Sequence, residues 1–571
     1  MGMLLVGAAR RDITVYEDGM VMLGWGMQYN IAKGVHTPLN VRAFVFEDEG
    51  GGRVAWVCAD LSMIPDSLRI GVLERLEVAY PHLGIDHHHL MLCATHTHSG
   101  PSGFPHHFFY NLPNPGVSIR VLRTLVDRIA DAIAEAASRM RPARISIGKS
   151  RVPTSEPIAF NRTVDAYNAN PDAESVTWDG RRSAVDRTSI VLRIDAEDGS
   201  SIGVINWFPL HGTSVHSDNT LIHPDNKGIA ALRTEAALGG DAVAAYAQSA
   251  AGDVSPNFRK SKKRGLMIGV DDDDFESAAI AGEIQAKYAG AAHSAAQDEQ
   301  PAVIDALTLN LDFRGAAAAP KYTSGKAGCI TGGSRVGMTF IQGTAEGPGP
   351  LLLAPGITRG LSQLAKVRRG YKALRSRSDE SERWRDVHGP KYPFLDTGLG
   401  SLGRAFGAFS ASEPILPGAI DPVVQAVKMF GEIDAVSDRE WAPNTLPLQI
   451  LIIGRLAIVG APTEPTTQAG RRIAKSVAEA LADRVDHVVV NGYANGYAGY
   501  TATYEEYQLQ RYEGASTLFG QWSLAVMQTT YDEIAARLSV PSPDRNWDSG
   551  APIVGAPVTD IYSQVWLSDA D

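Results

Sequence analysis

Two stretches of the sequence deliver histidines in a form that suits metal chemistry. The first, Cys93-Ala-Thr-His96-Thr-His98-Ser-Gly-Pro-Ser-Gly-Phe104, runs an apolar segment into a His-x-His pair and then into a glycine-rich turn. Residues i and i+2 of an extended segment point to the same side, so both imidazoles face one ion. The pair alone fits ordinary core or surface histidines equally well, because the chain carries 15 of them. His87-His88-His89, just upstream, has no comparable turn and is read as surface. The second stretch, Asn206-Trp-Phe-Pro-Leu-His211-Gly-Thr-Ser214, again puts a histidine at the end of a strand pattern, where α/β proteins place their sites. His223-Pro-Asp-Asn-Lys-Gly228 adds polar groups a few residues on.

A third ligand would complete a catalytic metal site that keeps one position open for water. Glu464 is the candidate, in Gly460-Ala-Pro-Thr-Glu464-Pro-Thr-Thr467, directly after a strand pattern. The same carboxylate also fits the N-terminal charge of a following helix. From Asn491 to Gly514 tyrosines crowd among glycines and asparagines. They make a poor core stripe, since each phenol oxygen needs a partner, and they suit a polar site wall. Gln248-Ser-Ala-Ala-Gly-Asp-Val-Ser255-Pro-Asn257 is not a nucleophile elbow. Neither a phosphate loop nor a dinucleotide fingerprint occurs in strand–helix context.

The elements that must hold these groups alternate between strand and helix patterns, which predicts a mixed α/β fold. Val41–Phe46 and Val54–Ala59 flank a Gly-rich turn, and Ile190–Ile194 and Ile202–Trp207 flank Asp-Ala-Glu-Asp-Gly-Ser; each pair reads as a hairpin. Leu90–Ala94 is a further strand. Leu122, Leu125, Val126, Ile129 and Ile133 recur at helical spacing, Ala278–Tyr288 looks helical, and Leu307 to Phe313 alternate as a half-buried strand. Leu448–Ile453 and Leu456–Gly460 pair across Gly454-Arg455, before a helix at Ile473–Leu481 and a strand at Val485–Val490. Lys321–Gly360 is a long glycine-rich loop, of a kind that is usually functional. Lys366–Val387 reads as a charged, exposed helix, and a Pro-rich tail follows Val540.

Composition sets the bounds. The 571 residues carry a net charge of −11, are 44% hydrophobic and include three cysteines. The acidic balance argues against a general nucleic-acid binder, and the apolar content against disorder. The cysteines form no CxxC, which leaves no sign of a thiolate zinc site or redox pair. No run of about eighteen apolar residues spans a membrane. The start, MGMLLVGAARRDITVYEDG, lacks a basic n-region and makes a poor signal peptide. The expected compartment is cytoplasmic, or secreted or periplasmic where an export signal has been removed.

Taken together these segments resemble the neutral (non-lysosomal) ceramidase family. The resemblance runs from Gly7-Ala-Ala-Arg-Arg-Asp-Ile-Thr14 to about Leu538. It rests on THTHSGPSGF, HGTS and DNKG, AGDVSPN, Phe160-Asn-Arg162, GTAEGPG at Gly343–Gly349, and NGYANGYAGY with TYEEYQLQRYEGASTLFG. It implies a large catalytic domain over 1–538, with 539–571 as tail, and a zinc ion held by His96, His211, Glu464 and Tyr500. It further implies that His98, Arg162 and Tyr512 line the scissile amide and that Ser255 lies beside the metal. The implied activity is zinc-dependent hydrolysis of the amide of ceramide or a related N-acyl lipid, giving fatty acid and amine. The alternatives are the same chemistry on a soluble, non-sphingolipid amide, and a metal-dependent phosphoesterase. A metal-activated water is favoured over a serine path, because no nearby feature supplies Ser255 with a base. Family members usually carry a further C-terminal β-sandwich domain; without it, dispersed amides are expected to be cleaved better than bilayer ceramide. Lys321–Gly360 and Pro350–Pro355 are expected to wall an acyl pocket.

Overall fold

The apolar runs around Phe44 and Trp56 carry large side chains on both faces, and the fold buries both. The computed structural model describes residues 3–17, 19–114, 116–349, 386–397, 404–405, 409–410 and 440–553. One sheet is built from β1 (Leu4–Asp12), β2 (Asn40–Asp48), β3 (Arg53–Ala59), β4 (Leu90–Ala94), β5 (Arg141–Arg151), β6 (Thr188–Ala196), β7 (Ser201–Phe208) and β8 (Val243–Gln248). Their order is β8-β7-β6-β5-β1-β2-β3-β4. A second sheet has the order β9-β10-β11-β12, from Ile304–Asp312, Thr445–Ile453, Leu456–Gly460 and His487–Asn491. Neighbours are antiparallel except for three parallel pairs, β3 with β4, β7 with β8, and β11 with β12.

Successive side chains of a strand point to opposite faces. On β2 and β3, Phe44, Phe46 and Trp56 therefore face the second sheet, meeting Leu451, Ile453, Ile458 and Val489. Val45 and Val57 face outward, where α1 (Asp66–Ala79) and α2 (Ile119–Ser138) cover them. The same face is covered beside β6, β7 and β8 by α3 (Asp225–Leu238) and α4 (Asp274–Ala295). Beyond the second sheet lie α5 (Thr467–Ala480) and α6 (Ser523–Leu538). The result is four layers, helix–sheet–sheet–helix, in which strands such as β3 and β4 are buried on both faces and correspondingly apolar. Trp56 and Trp207 lie between the sheets, and both indole N–H groups donate to Asn491 Oδ1, at 3.2 and 2.9 Å.

The predicted hairpins, the helix at Leu122–Ile133 and the strand pair at Gly454 are all present. The surface reading of the histidine triplet fails at its centre. His88 is only 4% exposed; its Nδ1 accepts from Thr308 N and its Nε2 sits 3.2 Å from Trp547 O. Of the stretch after Val540, residues up to 553 are described: Arg545 pairs with Asp305, and Asn310 N donates to Ser549 O at 2.7 Å. The long loop folds, up to Gly349, into short turns and a small hairpin, Gly343–Thr344 with Gly347–Pro348. Pro350–Pro355, and Lys366–Val387 apart from its last two residues, lie outside the described residues. Among the described residues, no helix is long and apolar enough to cross a membrane, and Cys58, Cys93 and Cys329 are buried and free.

Candidate metal centre and substrate cleft

His96 follows β4, His211 follows β7, Glu464 follows β11, and Tyr500 lies beyond β12. Each of the strands β4, β7, β11 and β12 belongs to one of the three parallel pairs, and the loops that follow them meet. Short ladders lock the loops together: Thr97 bridges Gly212, Cys93 bridges Ala494, and Glu464 pairs with Tyr500. Gly212 is required at its bridge, since a Cβ there would lie 2.1 Å from the His96 carbonyl oxygen. His96 itself adopts φ 66°, a left-handed conformation uncommon for a non-glycine residue.

Three imidazoles converge. His96 Nε2 lies 3.2 Å from His211 Nε2 and 3.0 Å from His98 Nε2. Glu464 Oε2 is 3.3 Å from His211 Nε2 and 3.5 Å from His96 Nε2, and the Tyr500 hydroxyl is 3.5 Å from His211 Nε2. A tetrahedral ion with bonds of about 2.0–2.2 Å spaces its ligand atoms by roughly 3.3–3.5 Å. The protonation pattern fits as well. His96 Nδ1 donates to Ser62 O at 2.5 Å and His211 Nδ1 donates to Ala251 O at 2.8 Å. Both Nε2 atoms are thereby left as bare lone pairs facing one another, which a cation between them relieves. Burial holds His96 below its ordinary pKa, and His98 and His211 well below it, so the rings are neutral as ligands must be. His96, His98 and His211 form a buried group able to hold a metal ion.

Glu464 does not cap a helix. Its Oε2 accepts from Tyr493 at 3.0 Å and its Oε1 from Tyr497 at 2.5 Å; the cap of α5 is Thr466, whose side chain accepts from Ala469 N. The tyrosine-rich segment thus supplies the carboxylate's clamp. Arg162 Nη2 donates to the Tyr500 hydroxyl at 3.1 Å and to Gly252 O at 2.8 Å. Its Nε pairs with Glu513 at 2.9 Å, and Nη1 lies 3.6 Å from Glu346. Burial would lower this guanidinium's pKa, but Tyr500, Glu513 and Glu346 outweigh it and raise it well above its usual value. Tyr512 packs on Arg162, with its ring centroid 5.3 Å from the guanidinium, and lies edge-on to Tyr500.

These groups floor a cleft of about 150 Å³. His96, His98, His211, Arg162, Glu464, Tyr500 and Tyr512 all line it, while Leu23, Met63, Phe109, Phe340, Phe394 and Leu518 make its apolar walls. Ser255 is not among the lining residues; its hydroxyl closes a local turn, accepting from Asn257 N at 2.8 Å. His98 packs edge-on against Trp25, and its Nδ1 has no hydrogen-bond partner. Sequence reasoning gave Tyr493 and Tyr497 only a place in a polar site wall and assigned no role to Glu346, Glu513 or Trp25, although Glu346 lies inside the GTAEGPG motif.

Comparison with known proteins gives one consistent picture. The family neutral/alkaline non-lysosomal ceramidase, N-terminal, matches residues 4–408 and 425–529. The neutral ceramidase of Pseudomonas aeruginosa is 32% identical over 537 residues, covering 93% of this chain and 72% of that protein. The neutral ceramidase of Mycobacterium tuberculosis is 30% identical over 577 residues, covering 96% and 81%. A solved structure of a ceramidase complexed with C2 superposes with a TM-score of 0.78 at 31% identity, covering 97% of this chain and 77% of that one. The matched residues span every side chain gathered at the foot of the cleft, and in sequence and fold this chain belongs to the neutral/alkaline non-lysosomal ceramidase family.

Proposed function

We propose that this protein is a zinc-dependent amidase that hydrolyses the N-acyl bond of ceramide or a related N-acyl lipid, releasing a fatty acid and an amine. One observation carries the reading: two oriented imidazoles, a clamped carboxylate and a buried phenol meet at the foot of a cleft with apolar walls. The relatives named above are ceramidases. Two nitrogens and two oxygens at tetrahedral spacing suit zinc, with His96, His211, Glu464 and Tyr500 as its holders. Bound there, the ion would supply a Lewis acid for the amide carbonyl and bring the pKa of a water down to about 7.

The protein's own groups divide the remaining work. Ser62 and Ala251 fix the tautomers of His96 and His211; Tyr493 and Tyr497 fix the rotamer of Glu464. Arg162 holds the Tyr500 oxygen and favours its anionic form against burial, which pushes that phenol well above its ordinary pKa. Tyr512 and His98 donate to the carbonyl oxygen as it gains charge, a contact worth most in a site closed to water. The apolar walls take the acyl chain. Ser255 steadies the loop behind His211, whose N–H donates to Val254 O at 3.1 Å. Residues 1–538 act as the catalytic unit in this reading.

The test is a panel of ceramides, N-acyl amino acids, aryl amides and phosphate esters offered to zinc-loaded protein. Release of fatty acid and amine from ceramide or another N-acyl lipid is expected. Turnover of soluble amides alone would move the reading to the same chemistry on another substrate. Hydrolysis of a phosphate ester with no amide cleaved would overturn it.

A further inference from the structure

The His98 ring, which the reading above has donating to the carbonyl oxygen, owes little of its orientation to hydrogen bonds. Its Nδ1 has no hydrogen-bond partner, and its Nε2 lies 3.0 Å from His96 Nε2, whose lone pair a metal ion would take. Packing must therefore hold it. Gly24 lies so close to the ring that a Cβ there would stand 2.5 Å from His98 Cγ. Trp25 meets the ring edge-on, with centroids 5.1 Å apart and planes at 79°. Trp25 is in turn tied down twice. Its indole N–H donates to Val215 O at 3.1 Å, and its face stacks on His216, with centroids 5.8 Å apart and planes at 15°.

His216 is 2% exposed and is not among the residues that line the cleft. Its Nδ1 lies 2.9 Å from Asp274 Oδ1 and its Nε2 lies 3.0 Å from Met267 O. A carboxylate and a carbonyl can only accept, so both ring nitrogens donate and the ring carries both protons. Asp274 stays ionised: burial would raise its pKa, but the hydrogen bonds from His216 and Arg264 outweigh that and bring it down to about 2. Asp274 also heads α4, and its Oδ2 accepts from the His216 backbone N–H at 2.9 Å. The clamped ring therefore presents a buried cation to the indole face, an attraction that burial strengthens. We propose that His216 is a positioning residue: held between Asp274 and Met267, it keeps Trp25 against His98 and so fixes the angle at which His98 meets the substrate carbonyl. This rests on the amidase reading above.

The experiment takes the amide of the panel that wild type cleaves fastest. It measures kcat, KM and bound zinc for His216→Phe, Trp25→Ala, Trp25→Phe and the double variant His216→Phe with Trp25→Ala. His216→Phe keeps a ring beside the indole but loses both donors. Its kcat should fall by about 10–100-fold, the scale on which a small misplacement of a reacting group acts, with KM little changed and zinc at the wild-type level. The double variant should be no slower than Trp25→Ala alone, because His216 acts on His98 only through the indole. Trp25→Phe should recover most of what Trp25→Ala loses. Losses that multiply in the double variant, loss of zinc, or wild-type kcat in Trp25→Ala overturns the assignment and leaves the amidase reading standing. If His216→Phe does not fold, the two Trp25 variants decide, and equal kcat in both overturns it. Cleavage of no amide by wild type removes both together.

Discussion

Arg162 and Tyr500 share a hydrogen bond of 3.1 Å in which the guanidinium donates to the phenol oxygen. Through it, a residue of the Phe160-Asn-Arg162 segment positions a candidate ligand more than three hundred residues away in sequence and opposes the burial that raises its pKa. Arg162→Ala should therefore keep its metal while kcat falls by roughly 10²–10³, the usual consequence of losing one such electrostatic contact. His211→Ala should instead lose the metal, as should wild type treated with chelator. Zinc content and kcat measured on the same preparations separate the two classes; equal metal loss in both would merge them.

Gly212→Ala places a methyl group against the His96 carbonyl oxygen. It should force the Thr97–Gly212 bridge apart, shifting His96 and His211 together. The expected loss of stability is about 1–3 kcal/mol, with weakened zinc affinity. Thermal unfolding and zinc titration of the purified variant check both, and a variant with wild-type affinity would show that the bridge does not set the ligand spacing.

Lys227 is buried, donating to Phe208 O at 2.8 Å and to Gln285 Oε1 at 3.2 Å, and burial brings its pKa down to about 7. Between about pH 7 and its unfolded value near 10.4 the unfolded chain binds this proton and the folded chain does not. Stability must rise with pH across that window, by up to about 1.4 kcal/mol per pH unit, and the full penalty stands below pH 7. Denaturant midpoints from pH 7 to 10 should climb more steeply for wild type than for Lys227→Met. Parallel slopes would show that the amine is charged in the folded state.

The cleft walls offer Leu23, Met63, Phe109, Phe340 and Phe394 to the acyl chain. Apolar walls carry no buried donor or acceptor that a change of chain length would leave unpaired, so they grade acyl lengths instead of rejecting them. Amides of one amine with graded acyl chains should therefore show a broad kcat/KM profile. Phe340→Ala should move the maximum toward longer chains. A sharp optimum at one length that survives this substitution would place the acyl chain elsewhere.

His96 and His211 were legible from sequence because the signal is local: a strand pattern, a histidine and a glycine-bearing turn. The strands and helices were legible for the same reason. The docking of one sheet on the other was not, since periodicity records that Phe44 and Val45 are both buried but not what each one meets. His88 was misread on that account, its burial being supplied by Thr308 and Trp547 from distant segments. Glu464 stood open between cap and ligand until Tyr493 and Tyr497 were seen to hold it. Glu346 and Glu513 gain their meaning only from Arg162, which reaches them across the fold.

The candidate ligands sit on both sheets, His96 and His211 beyond the first, Glu464 and Tyr500 beyond the second. Neither sheet alone contains more than half of the set. A partly folded chain with a single sheet formed has no high-affinity place for the ion, and the ion has no means of nucleating either sheet. With those four residues as ligands, metal uptake would be a late event that reports completed docking, and a bound ion would rivet the two halves against coming apart. Damage anywhere along their shared face, far from the cleft, would then surface first as a failure to retain metal.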